Sequence, residues 1–80
     1  MRALDEFNAL DEYGKTAALS QARFLADREE NGLTVQLYSL DSFYVEVFRD
    51  IHASKTLRTR AFKNNELLVP YLAHIKFNLR

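Results

Sequence analysis

The chain has 80 residues, 48% of them hydrophobic, with eleven basic side chains balancing eleven acidic ones and no cysteine. Zero formal charge argues against nucleic acid as the main partner, because a phosphate backbone is usually met by a basic excess or stripe. The missing cysteine excludes disulfide staples and thiolate chemistry, and this length makes one domain, 1–80, that buries only about 60% of its unfolded surface.

No run approaches the roughly 18–20 apolar residues that span a bilayer, so no membrane segment is expected. The opening MRALDEF carries acids where a signal sequence needs an apolar core. Together these features predict a soluble cytoplasmic protein.

Residues 3–19 read as an amphipathic helix, with Ala3, Phe7, Leu10, Gly14, Ala17 and Ala18 on one stripe. Asp5 and Glu6 lie near its positive end. Gly14 admits two meanings, a close approach to the sheet or a break. Arg23 to Glu29 has two readings as well. As a helix it would end on Asn31-Gly32 as a C-terminal cap. As a strand it would use the same dipeptide as a type I′ hairpin turn. Leu19 falls off the apolar stripe, so the helix ends near Ser20 and the strand is preferred.

Leu33 to Asp50, LTVQLYSLDSFYVEVFRD, is the clearest signal in the chain: two alternating runs rich in Val, Phe, Tyr and Thr around a tight turn. They predict strands over 33–40 and 43–50. TLRTRAFK, from Thr56 to Lys63, alternates again and predicts a last strand. Asn64 and Asn65 are good N-caps, and a second amphipathic helix is expected over 67–77, with Pro70 tolerated near its start.

The order is therefore α-β-β-β-β-α. Short connections force antiparallel neighbours, which predicts an α+β fold: a four-stranded antiparallel meander with the N- and C-terminal helices packed on one face. Alternation places Val35, Leu37, Phe43, Val45, Val47, Leu57, Thr59 and Ala61 under the helices. The opposite set contains Tyr38, Tyr44, Glu46, Phe48, Arg58, Arg60 and Phe62, with Thr34 and Gln36. Aromatic and arginine side chains of this kind anchor protein contacts. They can equally be the wet face of an antiparallel sheet, held by aromatic pairs and an ion pair from Glu46 to Arg58 or Arg60.

The sequence offers no catalytic constellation. His52 and His74 lack the further ligands a zinc site needs. Ser39, Ser42 and Ser54 have no nucleophile-elbow context, and two glycines make no phosphate-cradling loop. No metal, cofactor or catalytic residue is expected.

The segments FLADREENG, LYSLDSFYVEVFRD, LRTRAF and LLVPYL together resemble a group of short bacterial proteins without an assigned activity. In that group a helix leads into an F-L-A-x-R-E segment, an L-Y-x-L-x-x-F-Y-V-E-V hairpin, an R-x-R-A-F strand and an L-L-x-P-Y-L helix. The resemblance covers about residues 23–72 and implies the strand reading for Arg23 to Glu29. It carries no activity or cofactor. Ala22 stands where the group has glycine, so the approach to the first strand differs.

These features predict a non-enzymatic protein-interaction module that forms a homodimer, or binds another protein, through its open sheet face or a sheet edge. A core this small gains stability from pairing. The alternative is a binder of a small ligand or nucleic acid on the same face, with Arg58 and Arg60 meeting an anion.

Overall fold

The computed structural model describes residues 4–52, 55–63 and 65–71. Two short helices, α1 (Leu4–Asn8) and α2 (Glu12–Leu19), precede four strands, β1 (Arg23–Glu30), β2 (Leu33–Leu40), β3 (Phe43–Asp50) and β4 (Thr56–Phe62). A 3-10 segment, η1 (Asn65–Tyr71), follows. The strands lie in the order β1-β2-β3-β4, all antiparallel. The α+β class and the four-stranded meander are those the sequence predicts, and Arg23 to Glu29 is strand.

The first helix breaks between Asn8 and Glu12 instead of at Gly14. Asp11 caps α2, its Oδ1 accepting from the Gly14 amide at 2.8 Å, which satisfies a donor that the first turn leaves open. Gly14 serves a close approach, though to the helix connection and not to the sheet. A Cβ there would come within 3.1 Å of the Leu10 Cβ.

Asn31 and Gly32 both take positive φ, at 50° and 79°, the pair of left-handed residues that a type I′ turn requires. The β2–β3 turn is also two residues long, with Asp41 at φ 54°. That length fixes the register, pairing Leu40 with Phe43, Tyr38 with Val45, Gln36 with Val47, Leu37 with Glu46 and Val35 with Phe48.

This register corrects the predicted division of faces. Odd positions of β2 share a face with even positions of β3, so Val35 and Leu37 lie with Phe48 and Glu46, away from Val45 and Val47. Thr34, Gln36 and Tyr38 move to the other side with them. A one-position change of parity transfers every side chain of a strand.

The helical segments divide between the faces. On the first, Phe7 of α1 and Ala18 of α2 pack with Leu40, Phe43, Val45 and Val47, and the Phe7 and Phe43 ring centroids stand 5.8 Å apart. On the second, Tyr71 of η1 joins Ala26, Val35, Leu37, Phe48 and Phe62, with Leu67 and Leu68 alongside. The expectation that both helices share one face fails because β2 turns Val35 and Leu37 to the second face, where with Phe48 they give η1 an apolar bed. The segment leading to Tyr71 is a 3-10 turn and not the start of a regular α-helix. Pro70 removes an amide donor and crowds the preceding turn. The remainder of that predicted helix, with His74, lies outside the described residues.

Both edge strands carry a register shift, between Phe24 and Ala26 in β1 and opposite Phe48 and Arg49 in β4. Such bulges interrupt the ladder locally and increase the twist of the strand.

Candidate functional site

The predicted contact residues gather on the second face, apart from Tyr38, which belongs to the first. Tyr44, Glu46 and Phe48 alternate along β3, directly opposite Phe62, Arg60 and Arg58 of β4. The Tyr44 and Phe62 rings lie 5.6 Å apart. Tyr38 stacks edge-on with Phe24, centroids 5.7 Å apart, on the other side of the sheet.

The face is not open. Glu46 is 0% exposed, Phe48 1% and Phe62 6%, so its centre is interior within a single chain. Arg58 lies over the Phe48 ring at 3.8 Å and Arg60 at 5.8 Å, a cation–π cover that shields the ring while both arginines stay exposed. Tyr71 closes the other side.

Glu46 is the organising group. A carboxylate withdrawn from water needs paired charges and filled lone pairs, and here they arrive from three elements. Arg60, its direct cross-strand partner, donates Nε to Oε1 at 2.7 Å and Nη2 to the same oxygen. Arg28 reaches across β2 from β1 and donates Nη2 to Oε2 at 3.3 Å. The Tyr71 hydroxyl also donates to Oε2. Arg28 lies 5.2 Å from the Tyr71 ring centroid and donates Nη1 to Glu30. Its buried Nε has no hydrogen-bond partner among the described residues.

The titration behaviour follows from these contacts. Burial pushes the Tyr71 phenol well above its ordinary value, and its bond to the Glu46 carboxylate adds to the shift, while Arg28 partly opposes it. Burial works against the Arg28 charge, but bonds to Glu30, Tyr71 and Glu46 together hold its pKa above the usual guanidinium range. The hydrogen bond from Arg28 and its charge hold the Glu30 carboxyl below the usual carboxylate range.

No family model, curated protein or solved structure matches this chain. The resemblance to the short bacterial group therefore rests on its sequence motifs alone.

Alternation predicts an ion pair from Glu46 to Arg58 or Arg60, and of the two it is Arg60 that forms it. The contributions of Arg28 and Tyr71 escaped sequence analysis, because both need tertiary placement across two strands. One signal pointed there: in FYVEVF a single acid stands in an otherwise apolar run, where an unpaired charge would be costly.

A concavity lies on the first face, between α2 and the sheet, where Arg49 and Thr59 meet Lys15 and Thr16 across about 360 Å³. Nothing in the sequence pattern marked it. Among the described residues no group of three or more His, Asp or Glu side chains could hold a metal ion, and no helix is long and apolar enough to cross a membrane.

Proposed function

We propose that the chain is a non-enzymatic protein-interaction module of the cytoplasm that associates with a second copy of itself along the outer edge of β4. The observation that carries this is the arrangement of β4. It pairs with β3 on one side only, and its exposed residues include Leu57, Arg58 and Arg60.

An edge strand offers a row of backbone donors and acceptors that an extended segment can complete. Charge supports a β1 segment of the second copy as the occupant. β1 carries Asp27, Glu29 and Glu30 against Arg23 and Arg28, the latter turned to Glu30 and Glu46, whereas β4 is flanked by Lys55 and Lys63 and contains two arginines. Antiparallel pairing of β4 with its own copy about Thr59 would instead set Arg58 against Arg60, a repulsive arrangement. The Arg58 guanidinium forms no ion pair among the described residues, which leaves its charge available to an acidic partner.

The alternative, a small ligand or nucleic acid on the same face, has less support. Base stacking needs exposed rings, whereas Phe48 and Phe62 are buried beneath their neighbours.

The test is solution mass by light scattering behind a sizing column, for wild type and Arg58→Glu. A dimer that becomes a folded monomer on charge reversal is expected. A wild type that stays monomeric at every concentration would sink the proposal. Substitutions of Phe48 are unsuitable for this purpose, because a charge at that buried position would unfold the chain.

A further inference from the structure

We propose that the cleft between α2 and the first face binds a small organic acid, with its oxyanion on Arg49 and its apolar body on a floor of Tyr38 and Val47. This site is separate from the β4 edge and does not depend on self-association.

A helix on a sheet ordinarily turns its apolar stripe inward. Here α2 does so only toward its C-terminal end, through Ala18 and Leu19. Its other lining positions, Glu12, Lys15 and Thr16, fall at i, i+3 and i+4 with Leu19 at i+7, one side of a helix. This polar stripe faces Arg49, Thr56 and Thr59 of the sheet across a space of about 360 Å³. That is room for a small organic molecule, within the usual range of ligand sites. An apolar floor beneath a few convergent polar groups is the common composition of such sites.

Arg49 supplies the charge. Its Nε donates to Gln36 Oε1 at 2.6 Å, which orients the guanidinium from its stem side. It forms no ion pair among the described residues. A half-buried guanidinium held in this way presents a planar fork suited to a carboxylate or a phosphate monoester. Hydroxyls of Thr16, Thr56 and Thr59 add further donors around the cleft. Glu12 on the helix wall sets a limit on the ligand. Its negative charge favours a compact anion at Arg49 and disfavours a polyanion spread across the cleft.

The test is an amide NMR titration of the full chain with benzoate, phenyl phosphate and the neutral isostere benzamide. The expected result is saturable shifts at Thr16, Tyr38, Arg49 and Thr59 with one or both acids, at least about tenfold tighter than benzamide. The two acids distinguish a carboxylate ligand from a phosphate one. Arg49→Gln should remove the preference for the acid, and Arg49→Lys should keep part of it. Glu12→Gln, an exposed change that spares the fold, should tighten acid binding. Benzamide binding as tightly as both acids, no shifts at these residues with either acid, or an acid affinity unmoved by Glu12→Gln and Arg49→Gln would overturn the proposal.

Discussion

On one face of the sheet Phe7, Phe43, Val45 and Val47 pack together without a buried charge, and on the other Val35, Leu37 and Phe48 surround the carboxylate of Glu46. The first face is closed by shape. Apolar contacts are non-directional, so α1 and α2 are held there by filled volume. The second is closed by bonds with direction. Tyr71 must bring its hydroxyl to one oxygen of Glu46, while Arg28 and Arg60 approach from opposite flanks of the sheet. The difference teaches how a segment as short as η1 can be positioned: its few apolar contacts are supplemented by a hydrogen bond to a charge, worth more than a neutral one.

Breaking either face should be costly, for different reasons. Phe43→Ala should lower unfolding stability by about 3–5 kcal/mol through lost burial and a residual cavity, measured by urea denaturation. Glu46→Ala should cost a similar amount, about 3–5 kcal/mol, chiefly because Arg28 and Arg60 lose their shared partner, beyond what the smaller cavity left by the side chain explains. The faces then separate on rescue. Replacing the buried members together, as in Arg28→Met, Glu46→Leu and Tyr71→Phe with the exposed Arg60 left to solvent, should recover much of the loss, since well-packed apolar groups often match a buried ion pair. No comparable partner change repairs Phe43→Ala.

Tyr71→Phe is a smaller break. It keeps the ring over the second core and removes one hydrogen bond to a carboxylate, so about 1.5–3 kcal/mol is expected. It also predicts a pH signature. The folded-state pKa of Tyr71 is raised, so its contribution is fully present below the unfolded value near pH 10. That contribution is lost as pH rises further, through the folded value. Stability measured above about pH 10 should fall more steeply for wild type than for Tyr71→Phe.

The smallest effect lies at the other end of the pH scale. Glu30 has a depressed pKa, so its contribution is present above the ordinary carboxyl range and is lost as pH falls below it. An exposed pair of this kind contributes little. Glu30→Gln should slightly flatten the acid side of the stability profile and leave its alkaline side unchanged.

Much of this comparison was legible in the residues. Alternation over 33–50 gave both central strands with their bounds, and Asn31-Gly32 gave the first turn, because local backbone preference and burial agree there. The candidate face was legible in part. Tyr44, Glu46, Phe48, Arg58, Arg60 and Phe62 do share a side. Tyr38 does not, because alternation defines two sets within each strand while the turn length decides how sets on different strands combine. That the face is buried could not be seen, since the cover comes from η1 and from Arg28, whose positions depend on contacts distant in sequence. Pro70 made the C-terminal segment hard to assign for a local reason, since the same residue fits a helix's first turn and breaks its interior.

The most direct test of the ionic closure is a double-mutant cycle on Glu46→Gln and Tyr71→Phe, measured by urea denaturation. If Tyr71 is held by the Glu46 carboxylate, the two losses will be non-additive by about 1 kcal/mol or more. Additivity to within about 0.3–0.5 kcal/mol would mean that η1 packs on the second face by shape alone, and the contrast between the faces would be wrong.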